Sequence, residues 1–353
     1  MQQRIDLRSD TVTMPTEEMR KAMYEAEVGD DIMGEDKTVR ELEEVSAGLL
    51  GKEAALFVTS GTMGNQIAVM AWAQRGEEII VGDHAHIYIM ESGALAAISQ
   101  VQTRTLNSPD GIYDLKEMET AIQEKGVQNP RTALICVEDT FYLNAGLVVP
   151  QENLEAVKKL GEQYAVPVHM DGARIFNASV RSGVPLDKIA GTADSVMFAL
   201  TKGLAAPFGG ILAGSREFIE EARYLKQRIG GGLRQGGFMA APGIVALQTM
   251  IPRIAEDHHH AQLLAEGLNN MNVFGVDPKR IHTNIVTGTV EDLGITIEDF
   301  LTRLHERGIL AKRISKTEFR MVTHYGIEEE HIHRVISAVD EILAALDIQK
   351  RRS

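Results

Sequence analysis

The chain has 353 residues, more than a single compact core usually carries, so one large domain and a smaller one are expected. Its composition, 44% hydrophobic and 24% charged, is that of an ordinary globular protein and excludes disordered, collagen-like and coiled-coil classes. A net charge of −14 argues against generic nucleic-acid binding, which needs basic surface for phosphates, but leaves room for an anionic small molecule held by local donors.

The first 14 residues read as an N-terminal arm, too polar for a signal peptide. Pro15 and the pair Glu17-Glu18 open a helical pattern over 15–26, because proline and acidic side chains suit a helix start. A polar, glycine-bearing loop over 28–36 precedes a second helix that starts near Asp36, carries Val39, Leu42, Val45 and Leu49 on one side, and stops at Gly51. Short apolar runs then alternate with helical segments. Strands are expected over 54–58, 78–81, 132–138, 166–171, 195–200 and 210–213. Helices are expected over 62–74, 152–164, 173–181 and 216–228, the last capped by Ser215 and ended by Gly230-Gly231-Gly232.

This alternation predicts an α/β fold, a mostly parallel central sheet sandwiched by helices, over 15–250. Beyond it, a helix over 251–269, strand-like stretches at 280–286 and 320–323 and a last helix over 329–346 predict a smaller α+β C-terminal domain over 251–353. No apolar run approaches membrane-spanning length, so no membrane partner is expected. The single cysteine, Cys136, lies in an apolar run; it reads as a small buried hydrophobe in a reducing, cytoplasmic setting rather than as a nucleophile.

Two positions carry the strongest chemical signal. Val168-His169-Met170-Asp171-Gly172-Ala173-Arg174 puts an aspartate at the carboxyl end of one expected strand, and Ser195 to Gly203 puts Lys202 just beyond another. Ligands of open α/β sheets gather at those ends. A lysine amine that forms a Schiff base with an aldehyde, and a carboxylate that keeps a pyridine nitrogen protonated, are what pyridoxal 5'-phosphate (PLP) requires. Taken singly, Asp171 is also a plausible helix cap and Lys202 a solvated strand-end lysine. Thr59 to Asn65 follows a strand and opens a helix, so Ser60, Gly61 and Thr62 are candidate phosphate donors, or a plain capped turn. His86 is a candidate to stack on a cofactor ring. No metal site is expected: His84 and His86 stand two residues apart without a carboxylate pattern, and His258-His259-His260 reads as a polar helix face.

The motifs Ile5-Asp6-Leu7-Arg8-Ser9-Asp10-Thr11-Val12-Thr13, Val28-Gly29-Asp30-Asp31, Gly34-Glu35-Asp36, Ser60-Gly61-Thr62-Met63, His169 to Arg174, and Gly230 to Gln235, in that order, resemble the threonine aldolase family. The resemblance reaches Arg320-Met321-Val322-Thr323-His324 and so covers nearly the whole chain. It implies the fold-type I PLP-dependent transferase-like architecture and a kinship with β-eliminating lyases. It also implies that Lys202 bears the cofactor, Asp171 meets its ring nitrogen, His86 stacks on it, and Ser60, Gly61 and Thr62 hold its phosphate. Arg234 of a neighbouring subunit would add charge at the phosphate, in a homo-oligomer (dimer or homotetramer) with sites at the subunit interface. Ser9, Arg174 and Arg320 match positions that bind the substrate carboxylate, for which a guanidinium fork is suited.

One departure bears on the reaction. Where the family usually reads Glu-Asn-Thr-His-Asn, this chain has Glu138-Asp139-Thr140-Phe141-Tyr142, followed by Leu143-Asn144-Ala145-Gly146. Phe141 thus stands where a histidine contacts the substrate's β-hydroxyl, and His86 or a water becomes the base. The expectation is cleavage of a β-hydroxy-α-amino acid to glycine and an aldehyde. β-Elimination, racemisation or transamination, and PLP binding without turnover, remain the alternatives.

Overall fold

The computed structural model describes residues 4–143 and 145–346; residues 1–3 of the expected arm, Asn144 of the turn and residues 347–353 of the last segment lie outside them. In chain order the arm forms β1 (Ile5–Asp6), followed by α1 (Glu17–Glu25) and α2 (Lys37–Leu50). The sheet region comprises β2 (Ala54–Val58), α3 (Gly61–Trp72), β3 (Glu78–Gly82), α4 (His86–Ile89), β4 (Gln102–Leu106), α5 (Leu115–Ala121), β5 (Thr132–Glu138), α6 (Gln151–Tyr164) and β6 (Val168–Asp171). It continues with α7 (Ile175–Ser182), α8 (Leu186–Ala190), β7 (Ser195–Ala199), β8 (Gly210–Gly214), α9 (Arg216–Arg228) and α10 (Gly237–Thr249). After these come α11 (Ile254–Met271), β9 (Ile285–Thr289), α12 (Ile297–Glu306), β10 (Ile309–Leu310), β11 (Lys312–Arg313), β12 (Glu318–Val322) and α13 (Glu329–Ala345).

Seven strands form one sheet in the order β2-β8-β7-β6-β5-β3-β4. Only β8 runs against its neighbours, so the sheet is mostly parallel. Its central strands are buried on both faces, which is why they read as nearly unbroken apolar runs. The period-2 alternation sends Phe57, Ile135, Val137, Val168, Met170, Val196 and Phe198 to the face covered by α2, α6, α7 and α10. Leu56, Val58, Met197 and Leu212 go to the opposite face, against α3 and α9.

A second core joins α11, α12 and α13 to the three-stranded antiparallel sheet β11-β12-β9, around the rings of Phe274, Phe300 and Phe319. Ile5 and Leu7 of the arm belong to this core. Leu7 donates to the Leu310 carbonyl at 2.8 Å and accepts from the Val322 N–H at 2.8 Å, which stitches the arm between β10 and β12.

The differences from the sequence reading have physical reasons. Helix α10 carries no amphipathic stripe: apolar residues surround its axis and Pro242 lies inside it, so periodicity could not mark it. The strand expected over 280–286 lies at Ile285–Thr289, because Pro278–Arg280 forms a 3-10 turn first. Among the described residues no single helix is long and apolar enough to cross a membrane; α10 and α11 pass the test of length and composition only as a pair bent by 70°.

Candidate active site

Five chain segments deliver polar side chains to one end of the large sheet. Strands β2, β3, β5, β6 and β7 run in one direction, and their carboxyl ends lead into Ser60, His86, Tyr142, Asp171 and Lys202 respectively. In an open α/β sheet that edge is where helix N-termini and loops leave a crevice.

Asp171 ends β6 and is 2% exposed. One carboxylate oxygen accepts from Asn65 Nδ2 at 2.9 Å, and the other from the Ala173 N–H at 3.2 Å. Asn65 also donates to Glu91 Oε1 at 2.8 Å, while Gln66 donates to Glu91 Oε2 at 2.9 Å. His86 Nδ1 stands 3.3 Å from Glu91 and 3.9 Å from Asp171, yet it is buried without an aligned hydrogen-bond partner. Burial opposes a charged ring there, but Glu91 and Asp171 outweigh it and raise the His86 pKa above its ordinary value. The fold thus supplies the carboxylates that the sequence did not show beside His86, and the three ligand atoms lie within 4.8 Å of one another. Both Glu91 oxygens are already taken by side-chain amides.

Glu138, at the end of β5, ties two loops together. Its carboxylate accepts from the His86 N–H at 2.7 Å and from the Tyr142 N–H at 2.8 Å. Burial and the nearby Asp171 push its pKa up to about 7.

Lys202 follows β7, and its pKa is lowered to about 8 by burial and by Arg174, against the pull of Asp171, Asp10 and Glu138. Arg174, 4% exposed, is gripped by Asp10 through two 2.7 Å hydrogen bonds. Asp10 is fully buried; burial disfavours its charge, but Arg174 holds its pKa well below the usual carboxylate range. Arg320, also 4% exposed, gives Nη2 to the Arg8 carbonyl at 3.3 Å and leaves Nε buried without a partner. Ser9 caps the short turn that carries Asp10, accepting from the Thr11 N–H at 3.2 Å.

Phe141 does not face this cleft. It is 2% exposed and packs in the main core, where its ring would meet any Cβ placed on Gly111. The next residue, Tyr142, lies in the turn that follows, and its ring faces the other way. The Tyr142 ring lies 4.7 Å from the Arg320 guanidinium, 5.7 Å from that of Arg174, and edge-on to the His86 ring at 5.8 Å. With Met90, Leu143 and Ile314 it lines a cavity of about 120 Å³ beside Arg320. The sequence motif drew attention to position 141, and the pocket residue is its neighbour.

Ser60 caps α3 by accepting from the Met63 N–H at 3.2 Å, and the first-turn N–H groups of Gly61 and Thr62 have no partner within the helix. A Cβ on Gly64 would come within 2.8 Å of Met197, so this helix end sits tightly on the sheet. Arg234 stands apart on the surface, 61% exposed and paired with Asp30 at 3.0 Å. The histidine run is not a uniform polar face. His259 is exposed, but His260 is buried and His258 meets Asn177 at 3.1 Å.

Known proteins resemble this chain along nearly its whole length. A family model described as "Beta-eliminating lyase" matches residues 6–292. Low-specificity L-threonine aldolase 1 of Arabidopsis thaliana is 43% identical over 352 residues, with 98% of each chain covered. The low specificity L-threonine aldolase of Escherichia coli K12 is 37% identical over 333 residues, covering 94% of this chain and 97% of its own. The threonine aldolase structure from Leishmania major superposes with a TM-score of 0.83 at 18% identity, covering 96% of this chain and 99% of that one, a likeness of fold.

Proposed function

This chain belongs to the threonine aldolase family of β-eliminating lyases, and from that premise we propose that it is a PLP-dependent aldolase cleaving a β-hydroxy-α-amino acid of the threonine or allo-threonine type to glycine and an aldehyde. The observation that carries this reading is the convergence of Lys202, Asp171 and His86 at one sheet edge, with the buried Nε of Arg320 left without a partner. Unpaired buried donors are costly, and a ligand that accepts from them relieves the cost.

The residues present fit the cofactor. Lys202 would hold its aldehyde, and a lowered amine pKa favours the nucleophilic form at neutral pH. Asp171 would meet the ring nitrogen, His86 would cover the ring face, and Ser60 with the N–H groups of Gly61 and Thr62 would hold the phosphate. When bound, PLP supplies an electron sink for the pair left at Cα when a bond there breaks.

The protein's own part is to choose that bond and move a proton. Arg320 offers its free Nε to the substrate carboxylate, Ser9 adds a hydroxyl, and Arg174 offers the side of its guanidinium that Asp10 does not hold. Gripping the carboxylate fixes which Cα substituent stands across the ring. With Phe141 in the core, His86 Nε2 takes the β-hydroxyl proton, and Glu91 beside Nδ1 favours the charged ring that results. Phe141 packs in the main core, so its departure from the family motif lends no support to the alternatives.

The assembly is part of the proposal. Ile32, Met33 and Tyr224, which are 47%, 71% and 60% exposed, border one cavity near Asp30 and Arg234. An exposed apolar patch of this kind supports a second copy docking there, which would let Arg234 of one copy reach the phosphate of the other in a dimer or tetramer. The single buried thiol, Cys136, fits a reducing cytoplasm.

The test is glycine release from threonine, allo-threonine and an aryl-serine by purified protein, read with its visible absorbance. Lys202→Ala should abolish the absorbance and lower turnover by about 10³-fold or more. An unchanged spectrum in that variant, or no glycine from any of the three substrates, would sink the reading.

A further inference from the structure

Behind Asp171, between the sheet and α3, lies a row of buried polar groups to which the proposed mechanism assigns no role. His169 and Asp171 occupy alternate positions of β6 and so share its α3-facing side. Ser195 of β7 is the register partner of His169. Asn65 and Trp72 stand seven residues apart on α3, two turns along one helix face. Asn65, His169 and Ser195 are each 0% exposed.

The contacts run in sequence. Trp72 Nε1 donates to Ser195 Oγ at 2.9 Å, Ser195 Oγ lies 3.0 Å from His169 Nδ1, and His169 Nε2 lies 3.1 Å from Asn65 Oδ1. The Asn65 amide nitrogen then meets Asp171 at 2.9 Å and Glu91 at 2.8 Å. Both ends fix the direction. An indole offers only a donor, and the carboxylates of Asp171 and Glu91 both stand as acceptors to the Asn65 amide. The Asn65 atom facing both carboxylates must therefore be the NH₂ group, which leaves Oδ1 toward His169 and requires a proton on Nε2. Nδ1 is then bare and accepts the Ser195 hydroxyl proton, while Ser195 Oγ accepts from Trp72. The Ser195 main chain also lies beside the ring, so the opposite tautomer has an acceptor of its own. That tautomer would leave Nε2 bare, and Asn65 would have to set its oxygen against the bare nitrogen or against the carboxylates. Burial keeps the ring neutral, with the His169 pKa lowered to about 4.

We propose that Trp72, Ser195, His169 and Asn65 form a one-directional hydrogen-bond chain that positions Asp171 as an oriented acceptor for the ring nitrogen of the cofactor. The inference rests on the reading of Asp171 given above, and these four are positioning residues, acting through Asp171.

Two measurements test it. In deuterated, ¹⁵N-labelled protein the His169 ring is identified as the signal lost in His169→Phe. The expected state at pH 7 is the neutral Nε2–H tautomer, and an Nδ1–H or charged ring overturns the proposal. Because the chain has a single tryptophan, its one indole N–H signal is unambiguous; Ser195→Ala should shift it and speed its exchange with solvent, and an unmoved signal counts against the chain. Neither readout needs cofactor.

The second measurement compares binding of PLP with that of its 1-deaza analogue, which has carbon in place of the ring nitrogen. Ser195→Ala and His169→Phe should weaken PLP binding by roughly tenfold, as loss of an outer hydrogen-bonding partner commonly does, while binding of the analogue stays as in the wild type. Equal weakening of both ligands would mean a packing role and overturn the proposal. Wild-type protein that does not distinguish the two ligands overturns the cofactor pose itself, whereas wild-type discrimination that survives both substitutions overturns the chain alone.

Discussion

The two walls of the cleft are held by different means. On the α3 side, Asp171, Glu91, Asn65 and His169 lie against one sheet and satisfy one another at distances of 2.8 to 3.1 Å. On the other side the arginines depend on remote pieces of chain: Arg174 is held by Asp10, 164 residues away, and Arg320 by the carbonyl of Arg8, 312 residues away. The first wall needs only the sheet, α3 and the loop that carries Glu91. The second needs the arm threaded between β10 and β12, so the substrate side depends most on single contacts.

Removing such a contact gives the largest expected effect. Asp10→Ala leaves the buried Arg174 charge without its partner, and breaking a buried pair from one side costs about 3–5 kcal/mol. The denaturant midpoint should fall accordingly at pH 7. The Asp10 pKa is held below its unfolded value, so its contribution is full above the unfolded pKa of about 4 and is lost as pH falls further. The wild-type and variant stabilities should converge in acid. A loss below about 1 kcal/mol at pH 7, the level of an exposed pair, would erase the contrast between the walls.

Phe141→His separates the motif from the pocket. With the ring in the core, the substitution buries an imidazole among apolar neighbours and should cost about 2–4 kcal/mol without raising threonine turnover. A gain in turnover would put position 141 on the substrate wall after all.

The sheet wall was legible in the sequence where its parts lie on or just after a strand. Asp171 and Lys202 could be read from their places after apolar runs, and strand order then brings them together without further information. Asn65 and Glu91 could not be read as partners, since a helix and a loop supply them and only packing joins the two. The remote wall was legible only through motif resemblance, and even that pointed to Phe141 instead of Tyr142: a motif gives the residues, but which of two neighbours faces the cleft depends on the local backbone path. Asp10 lay within the motif that named Ser9, and its pairing with Arg174 depends on the arm's route.

Asp139 sharpens the comparison on the sheet side. It is 1% exposed, and burial pushes its pKa up to about 7, even though Oδ1 accepts from the Val149 N–H at 3.0 Å. A folded-state pKa above the unfolded one means stability that is present in acid and lost as pH rises toward 7 and beyond. Asp139→Asn keeps the acceptor and removes the charge, so its stabilising effect should grow by on the order of 2 kcal/mol between pH 5 and pH 8. Thermal melts at the two pH values check this, and a pH-independent difference would mean that the carboxylate is not titrating in the core.

The smallest effect concerns the ring that borders both walls. Tyr142 presents its face to the guanidinium groups of Arg320 and Arg174, contacts worth about 0.5–2 kcal/mol depending on exposure. The ring's negative face steadies the Arg320 guanidinium, which borders the small cavity, and Arg174 lies near the same ring. Tyr142→Ala should therefore raise KM for threonine by about five- to tenfold with kcat within about twofold, because the interaction is present before and during reaction alike. Tyr142→Phe, which keeps the π-face, should behave as the wild type. Cofactor absorbance should be unchanged in both variants, since the ring meets the sheet wall only through the edge contact with His86. If Tyr142→Phe lowers kcat as far as Tyr142→Ala does, the hydroxyl and not the ring face is what the substrate meets, and Tyr142 would take over the proton-transfer role assigned here to His86.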